Sequence, residues 1–351
     1  MKKKELRLLL ISVCLVLVLG SVSLVAACGP AEKPAAKQAN INMGGGSIGG
    51  SGNQVANAYA GILDHFMGIK NTTVLTYPMQ NIAPAVHNGD IDIGISNSSM
   101  SWDPWHGTGQ WEGNPHTSLR EIQPRSASAL QIYVKVDSPI KTFRDLIGKR
   151  VCPGTQAMGP EELMVKGSTA IGLDWHNDFD LVYMGHKEGG AALIAGKIAA
   201  YMGTGAPPQP SLMETDLVSP LRLVGFTDED AAALATAVPG SVKTSLPPKY
   251  YHMDVGITTV GFLTQTLVRY DYGRPEVVYG LAKYTLENPD FVGLYNKAFQ
   301  RLLEDEEPGG YKDSILSWPS YTKIPLHSEV VRYFQEIGWV VPEGRIPPEM
   351  K

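Results

Sequence analysis

Uncharged hydrogen-bonding residues gather at five places in the chain, 44–51, 77–81, 96–99, 153–156 and 203–205, each rich in Gly, Ser, Thr, Asn or Gln. Where such clusters open helices they offer free backbone N–H groups and a partial positive charge, which suits a carboxylate. Glycine lets a ligand approach the main chain, and hydroxyls and amides add oriented donors and acceptors. On this pattern the residues expected to touch a ligand are Gly46, Ser47, Ser51, Asn53, Tyr77, Gln80, Asn81, Ser96, Asn97, Ser98, Thr155, Gln156, Gly203 and Thr204. The competing role for any one Ser, Thr or Asn is a helix cap. Two further candidates sit near the clusters. Trp102 offers a ring to the apolar part of a ligand, with packing as a lid as its alternative. Arg125, ending a strand in Gln123-Pro124-Arg125-Ser126, offers a guanidinium fork to a carboxylate, with a surface ion pair as its alternative.

Other chemistries lack their residues. Gly44-Gly45-Gly46-Ser47-Ile48-Gly49 matches G-x-G-x-x-G. A dinucleotide site also needs an acid about 20 positions on, at the end of the next strand. That strand ends Thr76-Tyr77-Pro78, without one. No P-loop lysine pattern exists. The eight histidines show no His-x-x-x-His spacing and the cysteines no Cys-x-x-Cys spacing, so no metal is expected. A Gly-x-Ser-x-Gly elbow is also missing. Cys152, between a strand residue and Pro153-Gly154, is expected to be a buried structural thiol rather than a nucleophile. No acid and base are paired by spacing, and neither a cofactor nor an enzymatic activity is expected.

The elements that must hold these clusters alternate along the chain. Strand patterns are expected over 41–43, 72–77, 91–95, 131–136, 149–152, 179–183, 197–202 and 221–224, and helical patterns over 53–67, 81–87, 138–146, 159–171 and 189–195. The 91–95 stretch alternates apolar and polar residues, as an edge strand would. The β-branched run 255–268 is too long for one ordinary strand and reads as a return crossover from a second lobe to the first. The last stretch is mainly helical, over 275–287, 289–304 and 328–337. Alternating strands and helices predict an α/β fold with mostly parallel sheets, and such sheets bind ligands beyond the carboxyl ends of their strands.

Length and composition agree. The 351 residues suggest two domains, and 43% hydrophobic with 19% charged residues is an ordinary globular balance. A formal net charge of −5 disfavours a nucleic-acid partner. The first residues are Lys-rich, an apolar run covers 8–19, and small residues lead to Cys28. A basic start, a short apolar core and a small-residue boundary make a secretory signal over 1–27, with an uncleaved membrane helix as the alternative. Residues 28–40 are small, polar and Pro-containing, which reads as a flexible tether. Removal of 1–27 takes Lys2, Lys3, Lys4 and Arg7 but only Glu5, which brings the net charge to −8.

Val25-Ala26-Ala27-Cys28 resembles a bacterial lipobox. The resemblance implies cleavage before Cys28, diacylation of its thiol, and an extracytoplasmic domain anchored by lipid to the cytoplasmic membrane.

A second resemblance spans nearly all of 41–340. Its signposts are the glycine turn 44–50, then 88–98 (Asn-Gly-Asp-Ile-Asp-Ile-Gly-Ile-Ser-Asn-Ser), 118–122, and 136–151 (Val-Asp-Ser-Pro-Ile-Lys-Thr-Phe-Arg-Asp-Leu-Ile-Gly-Lys-Arg-Val). Pro325-Leu326-His327-Ser328, Tyr333-Phe334 and Ile337-Gly338-Trp339 complete the set. In these motifs the chain resembles the TAXI-type solute receptors of TRAP transporters (tripartite, ion-gradient-driven importers). The resemblance implies the two-lobed type II periplasmic binding protein fold, with each lobe a mostly parallel sheet flanked by helices, the lobes joined by hinge strands. Lobe I would take 41–135 and 263–351, and lobe II 136–262. It further implies a small carboxylate-bearing solute, such as glutamate, glutamine or a 2-oxo or dicarboxylic acid, and a TRAP membrane permease as partner. An exported enzyme on the same scaffold, or a ligand-sensing lipoprotein working with a membrane sensor, are the alternatives.

Overall fold

The computed structural model describes residues 40–156, 159–248, 250–304 and 323–351, with the backbone alone at 124–127, 210, 301 and 302. The signal segment 1–27, Cys28 and the tether up to 39 lie outside the described residues. Residues 40–351 form one compact unit. Among the described residues no helix is long and apolar enough to cross a membrane.

The first half begins as the sequence pattern expects. Strand β1 (Ile41–Gly44) leads through a glycine loop into α1 (Ser51–Met67), β2 (Thr72–Leu75), α2 (Met79–Asn88) and β3 (Ile93–Asn97). β1 pairs in parallel with β2 on one side and β3 on the other. Ile41, Met43, Ile93 and Ile95 are fully buried, and each such side chain stabilises the fold by about 1.5–3 kcal/mol. β3 is not the edge its alternation suggested. It lies between β1 and the antiparallel β10 (Ile257–Arg269), and all five of its residues are buried. Gly94 is needed there, because a Cβ would run into Ile82 Cγ2 of the covering helix α2. Asp92 precedes the strand, and its Oδ2 accepts the Asn42 N–H at 2.8 Å.

Two strands belong to both halves. β4 (Leu119–Lys135) pairs antiparallel with β10 through its first part, and with β7 (Ala200–Gly205) and β8 (Leu221–Val224) through its second. β10 pairs with β9 (Ser241–Leu246) through its first part and with β3 and β4 through its second. The two cross where Ser128 Oγ and Thr264 Oγ1 share a hydrogen bond of 2.5 Å and where Thr259 Oγ1 donates to Leu130 O at 2.7 Å. The strand order is therefore β2-β1-β3-β10-β4-β7-β5-β6, with β8 and β9 branching from the long pair. β5 (Arg150–Cys152) and β6 (Asp180–Leu181) complete the second parallel set beside β7. The α/β fold with two strand sets joined by a pair of long strands is the architecture expected of a type II periplasmic binding protein.

Helices cover both sets: α3 (Ser98–His106) after β3, then α4 (Gly159–Gly167), α5 (His186–Ile194), α6 (Pro210–Val218) and α7 (Asp228–Ala237). The chain closes with α8 (Pro275–Glu287), α9 (Pro289–Gly293), α10 (Lys297–Glu304) and α11 (Ser328–Glu336). The single helix expected over 289–304 is two short ones, and that over 138–146 is only the 3-10 turn Phe143–Leu146. Thr142 and Asp145 cap that turn reciprocally, so it begins only at Phe143. Arg345 anchors the C-terminal segment. Its Nη2 lies 2.7 Å from Glu121 Oε2, both side chains at most 2% exposed, and Glu121 backbone groups bond Pro325 O and the His327 N–H.

Candidate functional site

Where the carboxyl ends of both parallel sets meet, they leave a cleft of about 510 Å³, counted with the part open to solvent. The first wall follows from the glycines after β1. Gly46 and Gly49 hold φ of +68° and +78°, which an L side chain resists, and the loop they bend delivers Gly50 as the cap of α1. Gly50 has no side chain with which to cap that helix, and Ser51 and Gly52, which open α1, line the cleft. Met79, at the start of α2, completes this wall.

The opposite wall repeats the construction. Pro153, Gly154 and Thr155 leave β5, Gly159 and Pro160 open α4, Gly185 and His186 open α5, and Tyr201 to Thr204 lie within β7. Small residues are required where these turns crowd. A Cβ on Gly203 would strike Gln209 Oε1, and one on Gly50 would come within 3.2 Å of His186 Nε2. The Gly50–His186 approach and that of Gly205 to Ser51 bring the two walls against each other across the cleft.

Electrostatically the site is made of dipoles. None of its lining residues is Asp, Glu, Lys or Arg. The nearby Glu161 is turned away and engaged, accepting from Trp175 Nε1 and Tyr183 Oη at 2.8 Å each. His186 is held neutral, its pKa lowered to about 4 by burial. Tyr201 is raised above the ordinary phenol range by burial. Such a site presents hydrogen-bond donors and partial positive charge without a formal cation, and it offers no carboxylate to a ligand's ammonium group. Among the described residues no cluster of His, Cys, Asp and Glu could hold a metal ion.

Of the residues singled out in the sequence, Gly46, Ser47, Ser51, Thr155, Gly203 and Thr204 line this cleft. Ser96, Asn97 and Ser98 are buried beneath it. Asn97 caps α3 through Met100 N at 2.9 Å, Ser98 Oγ donates to Gly240 O at 2.5 Å and accepts from Leu263 N at 2.9 Å, and Ser101 Oγ donates to Ser96 Oγ at 3.1 Å. Trp102 stacks on His106 at 4.0 Å, and Tyr77 joins the apolar cluster around Ile82 and Ile91. Asn53 and Gln80 are half-buried in the first turns of their helices, while Asn81 and Gln156 are exposed. Arg125 sits in β4 opposite Thr264.

A family model described as the NMT1-like family matches residues 43–338. The chain belongs to the NMT1-like family. Solved structures similar to this NMT1-like chain include the periplasmic aliphatic sulphonate binding protein SsuA of Escherichia coli, at 15% identity and TM-score 0.41 over 86% of this chain and 90% of that one. The alkanesulfonate-binding protein SsuA of Xanthomonas axonopodis pv. citri, bound to MOPS, matches at 16% identity and TM-score 0.44 over 86% and 92%. An L-cystine ABC transporter protein of Listeria monocytogenes matches at 14% and 0.43 over 75% and 96%.

Sequence reading missed His186 and Tyr201 in the cleft of this NMT1-like protein. A signal for His186 was present. Gly185-His186 follows a strand and opens a small-residue helix, a sixth turn of the kind already counted. The small residues Gly189, Gly190, Ala191 and Ala192 mark the helix more plainly, so the pattern predicts its start only at Gly189.

Proposed function

We propose that this chain is an extracytoplasmic solute receptor that closes over a small carboxylate-bearing molecule between two lobes and passes it unchanged to a membrane permease. The observation that carries the reading is the uncharged cleft walled from both sides by helix starts. Helix starts favour an anion, and the two lobes can part or close about the long strands β4 and β10. The lobe limits 41–135 with 263–351 and 136–262 belong to this proposal, as do the ligand contacts of Gly46, Ser47, Ser51, Thr155, Gly203 and Thr204. The motifs of the TAXI-type resemblance support a TRAP permease as partner. The lipobox-like Val25-Ala26-Ala27-Cys28 supports a lipid anchor at Cys28, at the outer face of the cytoplasmic membrane.

A thermal-shift screen of glutamate, glutamine, 2-oxoglutarate, glutarate and malate tests the ligand class. A ligand at about a hundred times its Kd adds about 2.7 kcal/mol to stability, which reads as a rise of several degrees in Tm. A rise with one or more acids, with the acid recovered unaltered, is the expected result. No rise with any of them overturns the reading, and conversion of the bound acid favours an enzyme.

A further inference from the structure

The cleft contains one side chain whose hydrogen bonds run away from it into the body of the protein. His186 Nδ1 lies 2.8 Å from Tyr201 Oη and 3.1 Å from Gln209 Nε2, and the same amide nitrogen is 3.3 Å from His186 Nε2. The amide nitrogen can only donate. Nδ1 has the shorter of the two amide contacts and the Tyr201 hydroxyl as well, and with both donating to it the ring proton falls on Nε2. Nε2 is the atom that faces Gly50 at the cap of α1.

Gln209 is itself fixed. It is fully buried, and its backbone N–H donates to Tyr251 Oη at 2.8 Å. Tyr251 and Tyr133 share a hydrogen bond of 3.2 Å, Tyr133 Oη donates to Gln131 Oε1 at 2.8 Å, and Gln131 Nε2 donates to Gly205 O at 2.9 Å. Tyr251 holds φ +53°, a strained value for a tyrosine, and its ring stands edge-on to Tyr133 at 5.2 Å. Gln131 and Tyr133 belong to β4, one of the two strands shared by both halves.

We propose that His186 determines which ligands the cleft accepts, as a neutral imidazole donating its Nε2–H to a ligand oxygen, and that Tyr201, Gln209 and Tyr251 are the positioning residues that fix its tautomer. The proposal rests on the receptor reading above and names its selecting side chain. A neutral donor adds to the N–H groups of the opposite wall without introducing a charge, so the cleft selects oxyanion groups by direction rather than by ion pairing. The groups around the ring fit a neutral state. Tyr201 faces it from β7 and Gln209 from the start of α6, while Gly50 of α1 is uncharged. On its own helix Glu188 turns back to the Gly185 N–H at 3.4 Å. Burial holds the imidazole pKa at about 4.

Proton–nitrogen NMR of the full chain carrying 15N-histidine reads the tautomer, with the His186 signals identified by their loss in His186→Gln. The expected spectrum has a protonated Nε2 and a bare Nδ1, unchanged from about pH 7.5 to about 5.5 across the ordinary histidine midpoint. Tyr201→Phe is expected to raise the share of the other tautomer. An Nδ1–H form in the unaltered chain, or a titration near pH 6.5, overturns the proposal. With 2-oxoglutarate or glutarate as probe, the Nε2–H signal moves. His186→Leu weakens binding about ten- to a hundredfold, and His186→Gln, which keeps a donor, restores it to within about threefold. A thermal shift with either acid but no response at His186 overturns this contact and leaves the receptor reading standing. No thermal shift with any acid of the screen overturns both.

Discussion

Cys152 shows how residue type and surroundings divide a role. Its thiol is fully buried with Sγ 3.7 Å from Gly154 O and 3.8 Å from Met184 O, and burial pushes its pKa up. A thiol held protonated and out of reach is a poor nucleophile. Cys152 is therefore expected to resist a disulfide reagent in the native chain and to react fully in denaturant, and labelling at that residue followed by mass spectrometry checks it. Native labelling at the rate of a free thiol would contradict the burial argument. Ser98 illustrates the opposite case, a residue typed for ligand contact and used for the fold. It links the loop before β9 to β10, through Gly240 O and the Leu263 N–H. Ser98→Ala leaves that buried N–H without its acceptor, at a cost of about 1–3 kcal/mol. A urea midpoint lowered accordingly checks it, and an unchanged midpoint would count against it.

The elements were legible to different degrees. β10 was readable because most of its 13 residues are β-branched or apolar, and α1 because small and apolar residues recur at helical spacing. The first half of β4 was legible only as a strand that stops at Arg125, since Pro124 and Arg125 break the apolar pattern that its second half keeps. α7 and β9 leave little trace in the sequence: one is alanine-rich with little contrast between faces, and the other mixes Ser, Lys and Thr into a strand lying against β10. The site was half legible for a physical reason. Composition marks a polar turn, whereas sheet order decides whether it faces the cleft. The turn after β3 is buried because β10 and Gly240 close over it. Two ion pairs between elements give predictions. Lys166 Nζ of α4 lies 2.8 Å from Asp103 Oδ2 of α3, tying one half to the other beside the cleft. Both side chains are partly exposed, so Lys166→Met is expected to cost only about 0.5–1 kcal/mol, and less at about 1 M salt. Glu121–Arg345 is fully buried, and Glu121→Leu strands the guanidinium at a cost of about 3–5 kcal/mol. Denaturant midpoints at low and high salt separate the two, since only the Lys166 effect is expected to fade with salt.

At the scale of the whole molecule, two apolar cores are joined by the long strands β4 and β10, and the cleft between them is lined by uncharged turns. The first core's half also buries histidines. His116 is 1% exposed and His327 2%, and burial lowers the pKa of each to about 4. His87 stacks on His116 at 4.2 Å and is lowered by burial and by Arg269, and the cleft adds His186 at about 4. In the unfolded chain these imidazoles titrate near 6.5. Between about pH 6.5 and about 4 the unfolded state therefore takes up protons that the folded state refuses. Stability is complete above that window and falls as the pH drops through it, by up to about 3 kcal/mol for each fully buried ring. Urea midpoints measured from pH 7.5 to about 4.5 should decline, with the slope steepest below 6.5. His116→Phe combined with His327→Asn, which retains an acceptor for the Glu329 N–H that His327 Nδ1 now caps, should flatten most of that decline. If the double variant keeps the full slope, His116 and His327 are not its source, and the acid sensitivity must be sought in His87 and His186, the two lowered imidazoles that remain. Carboxylates held ionised by their partners, such as Asp103 beside Lys166 and Glu349 beside Arg120, lose their contribution only as the pH falls below the ordinary carboxylate range, so their effect separates from that of the imidazoles along the pH axis.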